Sequence, residues 1–124
     1  MEKPRKFSWT KYFSNEDNVQ YIPKGIAFDN YDDPHNFYVL SCLFEGCTVN
    51  GAIHISNYNV VRTLIEDSIF KSCKSTEQGI GGSVCFDCRQ NGQFVQERTC
   101  YYKSIANYYT AFFQNVKTLA SNKN

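Results

Sequence analysis

The sequence contains no apolar run close to the ~20 residues that a membrane-spanning helix needs. The basic cluster at residues 3–6 is not followed by the apolar segment of a secretory signal. No Asn-x-Ser/Thr acceptor for N-glycosylation occurs either. From these absences we expect no direct membrane segment and no entry into the secretory route, and the compartment is left open.

An excess of one charge sign is also missing. The 13 basic and 12 acidic residues are mixed along the chain and give a net charge of +1. Proteins that bind nucleic acid or anionic membranes present clustered basic residues, so neither partner is expected. Composition does favour a folded domain, because 42% of the 124 residues are hydrophobic and 16% are aromatic.

Three passages of the chain repeat one pattern: a short motif with an aromatic residue, then a turn, then a short apolar segment. The copies lie at residues 41–47 with 51–55, 67–73 with 81–86, and 99–105 with 109–113. Repeats of this length are typical of a chain that coils and stacks one unit on the next.

Within each copy, apolar and polar residues alternate with a period of two, and glycine, asparagine and β-branched residues are common. This pattern indicates strands rather than helices. We therefore predict an all-β fold, a short right-handed parallel β-helix of about three turns with an N-terminal cap segment. A small antiparallel sandwich is the alternative, although it has no need of similarity from turn to turn.

Stacked turns place aligned residues in ladders roughly 4.8 Å apart. Our alignment predicts an aromatic ladder of Phe44, Phe70 and Tyr102, with Leu43, Ile69 and Tyr101 on the opposite face. Two further predicted ladders are Ile53 with Val84 and Phe112, and Ile55 with Phe86 and Gln114.

The chain divides into three predicted parts. Residues 1–36 form a cap laid across the first strand, residues 37–116 form the β-helix turns, and residues 117–124 form a loose polar tail. The last predicted strand, near residues 109–116, has an unprotected edge. Such an edge pairs readily with another chain, so we expect self-association there or further turns beyond it.

The six cysteines do not by themselves indicate disulfides, because thiols stay reduced outside oxidising compartments. Cys47 and Cys73 share a predicted ladder position, where either a disulfide or a stack of buried thiols is possible, and we favour the reduced stack. Cys85 and Cys88 have the CxxC spacing, yet a second pair is missing. A zinc site with His54 and His35 is therefore weakly indicated, and we expect no metal and no cofactor.

Two catalytic interpretations can be drawn. His54 and Cys85 share a ladder position and could pair as base and nucleophile, but the sequence offers no orienting third group. Polysaccharide-cleaving β-helices use clustered carboxylates and basic residues, and the residues that could form such a patch are Glu66, Asp67, Asp87, Arg62, Arg89 and Arg98. Cross-strand ion pairs, Glu66 with Arg98 and Glu45 with Lys71, explain the same residues more simply.

The units Cys42-x-Phe44-x-x-Cys47 and Ser68-x-Phe70-x-x-Cys73, each followed by a Gly-rich apolar segment, carry a resemblance. They are similar to the repeats of right-handed parallel β-helix proteins. These proteins include polymorphic outer-membrane adhesins and large protein families found in trichomonad-like protists. The resemblance implies an adhesin-like surface protein, since longer relatives often have a terminal membrane anchor. The third copy departs from the motif at Ile105, and the family supplies no catalytic residues.

From these observations we predict a non-catalytic β-helix scaffold, not an enzyme, that binds a protein or a glycan along an outward strand face or at the open end. Exposed aromatic candidates for that face are Tyr101, Tyr108 and Phe113. The alternatives are a carbohydrate-active β-helix of the lyase or hydrolase kind and a structural component of a larger assembly.

Overall fold

A computed structural model describes residues 6–13, 18–22, 25–31, 35–48, 51–56, 62–76, 82–88, 93–106, 112–116 and 119–123. In these parts the chain forms one helix, α1 (Lys6–Tyr12), and twelve strands. The strands are β1 (Val19–Tyr21), β2 (Phe28–Tyr31), β3 (Asn36–Leu40), β4 (Leu43–Glu45), β5 (Ile53–Ser56), β6 (Arg62–Glu66), β7 (Ile69–Lys71), β8 (Val84–Cys88), β9 (Gln93–Glu97), β10 (Cys100–Tyr102), β11 (Phe112–Val116) and β12 (Leu119–Lys123). Across the described residues, no helix has the length and apolar character required to span a bilayer.

The strands form three parallel sheets with the orders β1-β3-β6-β9-β12, β4-β7-β10 and β2-β5-β8-β11. From β3 onward, successive strands enter the three sheets in a fixed cycle, so we call β3–β5, β6–β8 and β9–β11 the first, second and third rungs. Every strand pairing among the described residues is parallel. The all-β prediction is confirmed, and the antiparallel sandwich is wrong.

Strand register confirms two of the predicted ladders. Ile53 pairs with Val84, which pairs with Phe112, and the backbone positions of Ile55, Phe86 and Gln114 align in the same way. Phe44 also pairs with Phe70, and their rings stack with centroids 5.1 Å apart and planes 2° apart. The Cβ positions therefore repeat from rung to rung as the sequence pattern predicts.

The predicted place of Tyr102 in the aromatic ladder is wrong. Tyr101 pairs with Phe70 and stacks on it at 5.1 Å and 12°, whereas the Tyr102 side chain is 54% exposed. The reason is the corner before the strand. Arg98 adopts the same left-handed conformation as Asp67 (φ 52° in both), so the repeat from the second to the third rung is 31 residues, from 67 to 98, rather than 32.

Left-handed residues form the two corners that flank β4, β7 and β10. The first corner has Ser41, Asp67 and Arg98 with φ of 53°, 52° and 52°, and the second has Gly46, Ser72 and Lys103 with φ of 70°, 55° and 55°. A single residue with positive φ turns the chain sharply, at a cost of about 1 kcal/mol or more for a non-glycine residue. The same bend in every rung aligns the following strands.

The largest hydrophobic core lies between the three sheets. Its fully buried members are Phe37, Val39, Phe44, Ile55, Ile65, Phe70, Cys73, Val84, Phe86 and Phe94. Phe86 and Phe94 stack with centroids 5.0 Å apart, which joins the sheet of β8 to that of β9. Each rung thus buries its apolar side chains against its neighbours, which is the main stabilising term for stacked repeats.

A second core lies on the outer face of the five-stranded sheet. Trp9 and Phe13 pack there against Tyr38, Leu64 and Val95, which are aligned on β3, β6 and β9. The ring of Trp9 is 5.8 Å from that of Tyr38. The cap segment was predicted to lie across the first strand, and its position in the structure is different. Helix α1 covers a sheet face across three strands, while β1 and β2 pair with β3 and β5 and extend two of the sheets.

The predicted loose tail is also different in the structure. Residues 119–123 form β12, which pairs in parallel with β9 along five residues from Leu119 opposite Gln93 to Lys123 opposite Glu97. The unpaired edge of β9 supplies the backbone donors and acceptors that order this polar segment. The predicted division of the chain at residues 36 and 116 stays a prediction.

Candidate interaction face and the acidic corner beside it

The outer face of the sheet β4-β7-β10 is the most exposed sheet face in the described part of the chain. Only the central residue of β4 and of β7 is buried, and the residues on either side point outward. Leu43 and Ile69 lie side by side on this face and are 46% and 47% exposed. Two large aliphatic side chains at adjacent register positions form a small apolar strip that no described element covers.

The next register position along this face is mixed in character. Glu45 pairs with Lys71, which pairs with Tyr102, and the Lys71 ammonium lies 3.5 Å from a Glu45 carboxylate oxygen. This ion pair confirms the predicted one. We call the six outward positions the outer face: Leu43, Ile69, Cys100, Glu45, Lys71 and Tyr102.

The sequence-based candidates for this face need correction. Tyr101 points into the protein, where its ring stacks on Phe70 and its hydroxyl donates to Gln96 Oε1 at 2.5 Å. Tyr108 and the side chain of Phe113 lie outside the described residues. The predicted placement of Leu43 and Ile69 opposite the aromatic ladder is confirmed, but the binding candidates were sought among aromatic residues, whereas the exposed positions are the residues directly before and after the aromatic one.

An acidic corner adjoins the outer face at the residues just before β7 and β10. The guanidinium of Arg98 contacts three carboxylates: Asp67 at 2.5 Å, Glu66 at 3.0 Å and Glu97 at 3.0 Å. Glu66 and Glu97 occupy paired positions on neighbouring strands, where like charges repel. The positive charge of Arg98 offsets that repulsion. The pKa of Arg98 is raised, mainly because its guanidinium donates a hydrogen bond to Asp67.

Two tyrosines complete this corner from the buried side. The Tyr38 hydroxyl donates to Glu66 Oε1 at 2.6 Å, and the Tyr12 hydroxyl at the end of α1 donates to Glu97 Oε2 at 2.5 Å. Burial and the bond to Glu97 raise the pKa of Tyr12 to about 12. Glu66 is only 2% exposed, so these bonds replace the water that its carboxylate loses.

The structure brings together half of the predicted carboxylate and arginine patch. Glu66, Asp67 and Arg98 meet, and the predicted Glu66–Arg98 ion pair is confirmed, although Arg98 aligns with Asp67. Arg62 lies at the start of β6 and donates from Nε to Gln93 Oε1 at 2.6 Å. Asp87 belongs to β8 in a different sheet, and Arg89 lies outside the described residues.

His54 and Cys85 pair on β5 and β8 as predicted, and the structure adds a carboxylate, since His54 Nδ1 lies 3.9 Å from Asp29 Oδ1. Burial lowers the pKa of His54, and the carboxylates of Asp29 and Asp87 oppose that shift. Burial, with a contribution from Asp87, raises the pKa of the Cys85 thiol to about 12. The Cys85 thiol is therefore protonated near neutral pH and is only 4% exposed, and the two properties together oppose a role as a nucleophile toward a substrate.

The predicted zinc ligands do not form a described cluster. Among the residues that the structure describes, no three histidine, cysteine, aspartate or glutamate side chains are placed to hold a metal ion. His54 and Cys85 are neighbours, while the side chain of Cys88 lies outside the described set.

Comparison with protein-family models, with curated proteins and with solved structures finds no match to this chain. The interaction face and the acidic corner are therefore interpreted from their own geometry.

The buried bond between Tyr38 and Glu66 can be tested by Tyr38→Phe. We expect the free energy of unfolding to fall by about 1.5–3 kcal/mol, because the carboxylate loses a donor and remains buried. Urea titration followed by circular dichroism measures the change. Tyr102→Phe is the matched control, since Tyr102 is exposed, and an equal loss in both variants would contradict the role given to Tyr38.

Proposed function

We propose that the chain is a short right-handed parallel β-helix of about three turns that acts as a non-catalytic scaffold and binds a protein or a glycan through the outer face. The observation that carries this proposal is the exposed strip of Leu43 and Ile69, bordered by Glu45, Lys71 and Tyr102. An apolar centre with a charged and aromatic border is the usual composition of a binding surface.

The cyclic order of parallel strands supports the β-helix. Each sheet receives one strand per rung, and residues at equivalent corners repeat their left-handed conformation. Crossover connections between parallel strands of one sheet are right-handed in nearly all proteins, which supports the proposed hand. A coil of this kind presents equivalent residues as straight ladders, so its outward faces are long, regular surfaces suited to binding.

The acidic corner supports a scaffold over a carbohydrate-active enzyme. Cleavage of a polysaccharide would need carboxylates that can reach the substrate and donate or accept a proton. Here Glu66 is buried, and Arg98 is engaged by Glu66, Asp67 and Glu97. These ion pairs and the two tyrosine bonds instead fix α1 and the first corner, which positions the outer face beside them.

The proposal is tested by selecting ligands on a printed glycan array and from a displayed peptide library. We expect the double variant Leu43→Ser with Ile69→Ser to bind the selected ligands at least about tenfold more weakly, a loss typical of central interface residues. Light scattering of each variant first separates self-association from ligand binding.

Ile105→Ser is the matched control, because this aliphatic side chain is 61% exposed and lies beyond β10, outside the outer face. It should leave ligand binding unchanged. Equal binding by the double variant, or cleavage of an arrayed glycan by the wild-type protein, would contradict the proposal.

A further inference from the structure

Two cysteines follow the second corner in successive rungs. Cys47 comes directly after Gly46, and Cys73 comes directly after Ser72, at the same spacing of 26 residues that relates Glu45 to Lys71. The backbone remains paired at this point, because the Lys74 amide donates to the Cys47 carbonyl at 2.8 Å. The two cysteines therefore lie directly beside each other on neighbouring rungs.

Their side chains also meet. Cys47 packs against the core cluster that contains Cys73, and Cys73 contributes to the raised pKa of Cys47; Cys73 is fully buried, whereas Cys47 is partly exposed. Neighbouring parallel rungs are separated by about 4.8 Å, which falls within the range of Cα separations, about 4.4–6.8 Å, that a disulfide spans. The third rung has no thiol at this level, since Ser104 precedes Ile105, whose amide donates to the Cys73 carbonyl at 3.1 Å.

We propose that Cys47 and Cys73 are an oxidisable dithiol that a small-molecule disulfide, such as oxidised glutathione, converts into an intrachain disulfide between the first and second rungs. The bond encloses one complete rung of the chain. It braces the second corner, which joins the outer face to the sheet of β5 and β8.

The chemistry is two steps of thiol–disulfide exchange. The Cys47 thiolate attacks one sulfur of oxidised glutathione, the glutathione S–S bond breaks, and one glutathione thiolate leaves and takes up a proton. The Cys73 thiolate then attacks the Cys47 sulfur, the mixed disulfide breaks, and the second glutathione leaves in the same way. Two cysteine thiols are oxidised and one glutathione disulfide is reduced to two thiols.

Exposure determines the order of these steps. The partly exposed Cys47 meets the oxidant first, and the buried Cys73 resolves the mixed disulfide from inside. Burial, followed by the neighbouring Cys73, raises the pKa of Cys47 to about 11. The rate of oxidation should therefore increase about tenfold per pH unit between pH 7 and 9, because the thiolate is the reacting form.

The distribution of glutamates makes the bond straightforward to assign. Cleavage after glutamate separates Cys47 in fragment 46–66 from Cys73 in fragment 67–77. The other cysteines fall elsewhere, Cys42 in fragment 17–45, Cys85 and Cys88 in fragment 78–97, and Cys100 in fragment 98–124. The purified chain is incubated with oxidised glutathione, its remaining thiols are alkylated in acid, and the digest is read by mass spectrometry without reduction.

We expect the linked pair of fragments 46–66 and 67–77 to be the main intrachain product, and the melting temperature to increase by about 5–10 °C. Reduction should reverse both effects. Cys73→Ser should abolish the increase, while Cys42→Ser, which changes a buried thiol that donates to the Leu40 carbonyl, should retain it. Fragments 46–66 and 67–77 recovered in the alkylated form, or oxidation confined to fragments 78–97 and 98–124, would overturn the proposal without any variant.

Discussion

Phe70→Ala is expected to lower the free energy of unfolding by about 3–5 kcal/mol, the range for removing a large buried aromatic side chain. Phe70 is fully buried and lies between Phe44 and Tyr101, each with its ring centroid 5.1 Å away. Alanine would leave a cavity and remove both stacking contacts from the centre of the core. Guanidinium titration with the slope compared to that of wild type measures the loss.

Two neighbouring tyrosines provide the control for this stack. Tyr101→Ala should also be destabilising, because it removes a stacked ring and the hydrogen bond to Gln96. Tyr102→Ala should change the free energy of unfolding by less than about 0.5 kcal/mol, since the ring is 54% exposed. A larger loss for Tyr102→Ala than for Tyr101→Ala would show that the third rung follows the sequence-based alignment.

The alternating pattern predicted the first two rungs well, because their strands keep the same residue types. Gly51 and Gly82 precede the aligned strands β5 and β8, and Phe44 and Phe70 occupy the same inward position. In the third rung the only cysteine, Cys100, was matched to Cys42. The shared cysteine suggested the register of β10 against β7. The left-handed backbone conformation of Arg98 decides that register instead, and this conformation cannot be recognised from the sequence.

The position of α1 was not predictable from its own residues. The sequence of the strands that α1 covers does, however, indicate that their outer face is buried. Strands β3, β6 and β9 are buried on both faces, as the continuous burial of Asn36–Val39 and Thr63–Glu66 shows. Strands with unbroken apolar runs are typical of sheets covered on both sides. The run Phe37 to Leu40 therefore indicated that something covers the outside of this sheet, although it did not identify the helix.

Within the candidate site, the ion pairs were predictable, and the alternation of residues placed Leu43 and Ile69 opposite the aromatic ladder, but the exposure of these two residues was not predictable. Opposite charges at the same repeat position, such as Glu45 and Lys71, predict contact because stacked rungs place them side by side. Leu43 and Ile69 are apolar, so their composition alone assigns them to a core. Their exposure follows from the shortness of β4 and β7, where only the middle residue points inward.

Gly51→Ala should lower the free energy of unfolding by about 2–5 kcal/mol, because strain and a steric clash add. Gly51 has φ of 75°, a conformation that side chains disfavour. A Cβ atom at this position would lie 2.7 Å from the carbonyl oxygen of Gly82 and 3.0 Å from that of Ser83. Both oxygens belong to the backbone of the next rung, so the clash is relieved only if the two rungs separate. Chemical denaturation of the variant measures the loss.

Gly46→Ala separates the two causes. Gly46 has a similar φ of 70°, yet a Cβ atom there would meet no atom within 4 Å among the described residues. Its cost is therefore backbone strain alone, about 1–2 kcal/mol, and the equivalent positions Ser72 and Lys103 show that side chains are accepted at this corner. Equal losses in the two variants would mean that Gly51 matters only for its conformation. A clearly larger loss for Gly51→Ala would show that the steric clash with the second rung adds to the backbone strain.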